Sequence, residues 1–103
     1  MNRIEKIKKF LIANPTDDFL RHALALEYVK LGNNKEAREL FEAILNGSPD
    51  YIGSYYHLAK LLEQFDETSL AINWYEKGMA ISKKLGDNHA YNELQSAYEE
   101  LTF

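Results

Sequence analysis

The 103-residue chain has no cysteine, so disulfides and thiol chemistry are excluded. That absence fits a reducing compartment. Its five glycines stand singly and its prolines are only Pro15 and Pro49. No glycine-rich phosphate loop, G-x-S-x-G elbow or dinucleotide fingerprint can be built from them. No apolar run approaches the ~18 residues of a membrane span. The basic N-terminal stretch has one uninterrupted apolar segment, Phe10 to Ala13, shorter than the roughly 7–15 residues of a signal-peptide core. The expected location is therefore cytoplasmic. An alternating strand pattern is also missing.

Basic charge is scarce outside the N-terminus. The net charge is −4, yet the first ten residues carry Arg3, Lys6, Lys8 and Lys9 against Glu5. The remaining chain is acidic. Phosphate contacts dominate nucleic-acid affinity, so an acidic body predicts no nucleic-acid partner. The basic helix reads first as a solvated face.

What is present is a 34-residue spacing. Pro15 recurs as Pro49, Leu24-Ala25 as Leu58-Ala59, Leu31 as Phe65, and Ala37 as Ala71. Ile7, Phe41 and Tyr75 make a three-step series at the same interval. Self-similarity at such a period marks an array in which each unit buries its apolar face against its neighbours. Such arrays offer extended surfaces rather than deep catalytic clefts, which biases function towards binding.

The elements follow from helical spacing and breakers. Helices are expected over about 2–13, 17–31, 34–46, 51–64, 67–84 and 88–101. The breaks are Asn14-Pro15-Thr16-Asp17, Gly32-Asn33-Asn34, Gly47-Ser48-Pro49-Asp50, Asp66 and Leu85-Gly86-Asp87. An asparagine of Gly32-Asn33-Asn34, and Asp66, are expected to cap the helices that follow them. Leu20, Leu24, Tyr28 and Leu31 should share a buried face. Ala25, Ala37, Ala59, Ala71 and Gly78 lie among large apolar neighbours, which predicts repeated close helix crossings. With no linker longer than about five residues, 1–103 reads as one domain.

Leu24-Ala25-x2-Tyr28, Ala37-x3-Phe41 and Pro49 resemble the tetratricopeptide repeat. Tyr55-x2-Leu58-Ala59-x2-Leu62 and Ala71-x3-Tyr75 resemble a second copy. The resemblance frames a half repeat over 1–17, full repeats over 18–51 and 52–85, and a C-terminal helix over 86–103. It departs from the pattern at Arg21, where an aromatic is usual, at Ile44, where a small residue is usual, and at Lys83 in place of a second proline. It implies an all-α fold of antiparallel helix-turn-helix repeats, a right-handed superhelical solenoid of about six helices.

The resemblance further implies a concave groove that binds a peptide or protein segment. Its lining maps to Phe19, His22, Leu26, Val29 and Lys30, then Gly53, Tyr56, Lys60, Glu63 and Gln64, then His89, Asn92 and Ser96. Phe19, Leu26, Val29 and Tyr56 are unusually apolar for solvated positions, and grouped exposed apolar residues mark binding sites. The competing reading packs them under the terminal helices. The basic, Asn-rich carboxylate clamp of some family members is absent, because His22, Leu26 and His57 stand in its positions. Lys30 and Lys60 become the expected charge partners of a ligand.

His22, His57 and His89 include no i, i+4 pair and no HExxH motif, so no metal is expected. The tyrosines and Trp74 sit mostly at core spacing with hydroxyls free to reach the surface. The sequence therefore reads as a non-catalytic, cofactor-free interaction module. Its alternative is a self-associating assembly module, in which the basic first helix meets an acidic last helix. Electrostatics alone predicts a monomer with weak self-association.

Overall fold

Six helices follow one another without a strand among the described residues, 2–103, of the computed structural model. They are α1 (Arg3–Ala13), α2 (Asp18–Lys30), α3 (Asn34–Gly47), α4 (Gly53–Gln64), α5 (Thr68–Leu85) and α6 (Asn88–Thr102). The chain divides into two compact units, one ending at Ser48 and one beginning at Pro49.

In the first unit α1 packs on α2 and α2 on α3. Asn2 caps α1 by accepting from the Glu5 amide at 2.8 Å, and Asp17 caps α2 through the Leu20 amide at 2.9 Å. Each satisfies an amide that the first helical turn leaves without a partner. Ile7, Leu24, Ala25, Ala37, Phe41, Ile44 and Leu45 are buried. Leu31, expected on the face of Leu24, is 63% exposed: it is the C-cap residue of α2, at the very end of that stripe.

Arg21 occupies the position that Tyr55 holds one repeat later. Its guanidinium Nη2 donates to Asp18 Oδ1 at 2.7 Å, and both side chains are largely covered. Hydrogen bonds from Ser48 and then Arg21 hold the Asp18 carboxyl below the usual carboxylate range. In the second unit the Tyr55 hydroxyl does related work, donating to the Pro49 carbonyl at 2.6 Å. A charge pair thus stands where the next repeat uses an aromatic ring.

The second unit packs α4 on α5 and α5 on α6, and α4 also reaches α6. Tyr55, Leu58, Ala59, Leu61, Leu62, Ala71, Tyr75, Leu94 and Ala97 form its core. Gly78 lies where the three helices converge. A Cβ placed there would come within 2.8 Å of Tyr55 Cβ and 2.9 Å of Leu94 Cδ1.

Three helix ends share one device. The amides of Asn33, Glu67 and Asp87 donate to the carbonyls of Tyr28, Leu62 and Ser82, each at 2.9 Å. The bond closes only if the preceding residue turns left-handed, and Gly32, Asp66 and Gly86 do so at φ of 77°, 59° and 73°. An asparagine, Asn33, does stand at the N-cap of α3, though its side chain makes no capping bond. Asp66 does not cap as expected: Glu67 is the N-cap residue of α5, also without a side-chain cap, and Asp66 is taken up by the preceding helix end. A left-handed conformation strains any residue with a Cβ, though least for Asn and Asp. Asp66→Gly is therefore expected to raise stability by about 0.5–1 kcal/mol. Urea unfolding of the two proteins checks this, and a loss of stability would refute it.

Candidate functional site

The residues expected to line a groove divide between the units. Phe19, His22, Leu26, Val29 and Lys30 all lie on α2, at a spacing that makes one stripe. Phe19 is 70% exposed, Lys30 is exposed, and His22, Leu26 and Val29 are half-buried. His22 packs edge-on against the Phe41 ring at 5.4 Å between centroids, so one side of it is engaged by the core. Lys30 Nζ lies 2.9 Å from Glu27 Oε2, and Arg3 reaches the same carboxylate at 3.6 Å. Lys30 and Arg3 thus share the one negative charge of Glu27.

In the second unit Tyr56, Lys60 and Gln64 follow at four-residue spacing along α4. The Lys60 ammonium lies 5.7 Å from the Tyr56 ring centroid, within cation–π range, and 3.8 Å from Glu63 Oε2. Lys60 is thus held between an aromatic face and a carboxylate. Tyr56 and Lys60 are half-buried and Gln64 is exposed. His89 and Asn92 lie exposed on α6.

Within the second unit Tyr75, outside that set, joins its members. The Tyr75 hydroxyl donates to Glu63 Oε2 at 2.5 Å, so the carboxylate that meets Lys60 also anchors a core ring of α5. Burial, then this bond, pushes the Tyr75 phenol above its ordinary value, with smaller contributions from Tyr56 and Glu100. Tyr56, Lys60, Glu63 and Tyr75 form one connected group, extended electrostatically to Glu100 of α6. Burial lowers the His57 imidazole below its ordinary value, and Glu93 of α6 partly opposes this. Periodicity placed Tyr75 in the core but gave no sign that its hydroxyl reaches α4. That pairing depends on how far α5 lies along α4.

Among the described residues no cluster of three or more His, Asp or Glu side chains could hold a metal ion. None of their helices is long and apolar enough to cross a membrane. The arrangement supplies exposed apolar surface and balanced charges.

The tetratricopeptide repeat profile matches residues 20–51 and 52–87, more than half of the chain. The chain belongs to the tetratricopeptide repeat family. A tetratricopeptide repeat domain protein of Salinibacter ruber is 41% identical, with a TM-score of 0.81 over 84% of this chain and 96% of that one. A protein of Bordetella parapertussis is 24% identical with a TM-score of 0.85, over 99% of this chain and 89% of that one. The TPR2B domain of yeast Sti1, solved in complex with pHsp70, is 14% identical with a TM-score of 0.88, over 96% and 79% of the two chains. The latter two likenesses show the fold alone. No functionally curated protein matches the chain.

His57 makes the stability of this tetratricopeptide repeat protein pH-dependent. Its folded imidazole binds a proton less readily than the unfolded one, whose ordinary value is about 6.5. Below that pH the unfolded state takes up more protons, so the contribution of His57 to stability falls as pH falls. It is fully present above about pH 6.5. We expect His57→Gln to lose less stability than the parent between about pH 7 and pH 5. Equal losses in paired urea titrations would refute it.

Proposed function

We propose that the protein is a non-catalytic interaction module that binds a protein or peptide segment through exposed helix faces of its repeats. The frame that supports this is a half repeat over 1–17, full repeats over 18–51 and 52–85, and a C-terminal helix over 86–103. The observation that carries it is the α2 face. Phe19, 70% exposed, shares a stripe with the half-buried Leu26 and Val29, and grouped exposed apolar side chains of this kind mark binding surfaces. The second unit adds Tyr56, with Lys60 over its ring, beside Gln64, and His89 and Asn92 on α6. The Sti1 domain of like fold is in complex with pHsp70, which accords with a peptide ligand.

Since Lys30 and Lys60 already have carboxylate partners, a ligand acid would compete with Glu27 or Glu63 for them. The faces therefore suit an apolar or mixed segment better than a free carboxylate. Partners are identified by capture from the source cell with mass-spectrometric identification, then tested one at a time with purified components. Phe19→Ala and Tyr56→Ala are each expected to weaken binding of such a partner about tenfold, the loss of one aromatic anchor. The exposed Phe19 leaves stability within about 0.5 kcal/mol of the parent when truncated. Unchanged affinity in both variants would overturn the assignment of these faces. A collapse of the thermal midpoint in Phe19→Ala would show that ring to be core.

A further inference from the structure

We propose that α1 is a docking surface for α6 of a second copy of this chain, giving weak head-to-tail association controlled by salt. Lys6, Lys9, Phe10 and Ala13 recur at helical spacing on one face of α1 and line an open depression of about 480 Å³. Phe10 is 60% exposed there, although its counterparts one and two repeats later, Ile44 and Gly78, are buried. Neither Lys6 nor Lys9 has an ion-pair partner among the described residues. The face is therefore an apolar floor flanked by two uncompensated ammonium groups.

The matching surface is on α6. Glu99 and Phe103 are one turn apart, Glu100 lies beside them, and all three are exposed. Phe103 is 98% exposed. Glu99 and Glu100 likewise have no ion-pair partner among the described residues. Two lysines around an aromatic floor thus face a chemistry of two glutamates beside an aromatic knob. The charge complementarity selects a second copy as the occupant. The contact joins different surfaces on the two copies, so it is heterologous and propagates into open chains unless its rotation closes a ring. Exposed ion pairs are weak and screened, which makes the association dependent on low ionic strength.

Sedimentation equilibrium of the purified chain, from about 10 μM to about 1 mM, tests this at low and high salt. We expect a rising mass at low salt and at least about a tenfold weaker association above about 0.3 M salt, where the Debye length is short. The double variants Lys6→Glu/Lys9→Glu and Glu99→Lys/Glu100→Lys should each be monomeric, since each places like charges across the contact. Mixed in equal amounts they should associate, because every α1 then meets an oppositely charged α6. All four positions are exposed, and an unchanged helical circular-dichroism spectrum confirms that each variant folds. A monomer at about 1 mM in low salt, or association that both charge reversals leave intact, would overturn the proposal. So would a mixture that stays monomeric.

Discussion

Replacing Gly78 by alanine is expected to lower stability by about 1–2 kcal/mol, although alanine is the better helix former by about 1 kcal/mol. The two effects oppose each other, and the geometry decides the sign. An added Cβ would meet Tyr55 Cβ at 2.8 Å and Tyr55 Cγ at 3.0 Å. The root of a buried aromatic side chain cannot swing aside as the tip of a long one can, so α4 and α5 must part. Leu94 Cδ1, at 2.9 Å, blocks the other direction. Two contacts under 3.0 Å, one of them to a Cβ, place this site in the upper part of the overpacking range, at about 2–3 kcal/mol, which exceeds the propensity gain and leaves the net loss of about 1–2 kcal/mol. For a chain of this size the thermal midpoint should fall by roughly 5–15 °C. Gly47→Ala supplies the internal comparison. Gly47 ends α3 with nothing within 4 Å of an added Cβ, so the same substitution there should stabilise by a few tenths to about 1 kcal/mol. A stabilised Gly78→Ala would show that the three-helix crossing has slack.

The second large effect is expected at Ala71. Ala71→Leu should destabilise by about 1–3 kcal/mol, because three further carbons must enter a site with no exposed surface. Ala80 lies on the same helix and is exposed. Ala80→Leu should stay within about 0.5 kcal/mol of the parent, since it adds nothing to the core. Guanidinium or urea titration of both variants checks the pair. Equal, small changes would mean that the small residues of α5 do not set the approach of its neighbours. The Ala71 and Gly78 effects need not add, because both substitutions act on the same helix packing.

Several features were legible in the sequence because they depend on local chemistry or on a repeated offset. Pro15, Gly32, the Gly47 to Asp50 break and Gly86 set helix limits that agree with the structure to within about two residues. The recurrence of Ala25 with Ala59 and of Ala37 with Ala71 identified positions that are fully buried. The same offset placed Ile7, Phe41 and Tyr75 in the core. Asp66 departs from its expected capping role for an identifiable reason. Asp serves both as a helix cap and as a tolerable left-handed residue, and its register with Gly32 was the cue that favoured the second role.

The candidate site was less legible. Periodicity could mark Phe19, Leu26 and Val29 as one stripe, but only solvent exposure distinguishes a 70% exposed ring from its half-buried neighbours. The pairing of Lys30 with Glu27 follows an i, i+3 offset and was accessible in principle. The bond from Tyr75 to Glu63 was not, because the two residues lie on different helices.

The sequence by itself determined the helical class, the repeat register, the small residues at crossings and the opposite charges of the first and last helices. These follow from residue type and spacing along one chain. Tertiary structure decided which polar groups meet between elements: Asp18 of α2 with Ser48 beyond α3, Tyr75 with Glu63, and Glu93 beside His57. It also decided that Gly78 has no room for a methyl group. The physical reason is one of length scale. Helix formation and capping are settled over about four residues, whereas contacts between helices depend on axial offset and rotation. Those are set by the sum of many packing contacts, and no single spacing in the sequence encodes them.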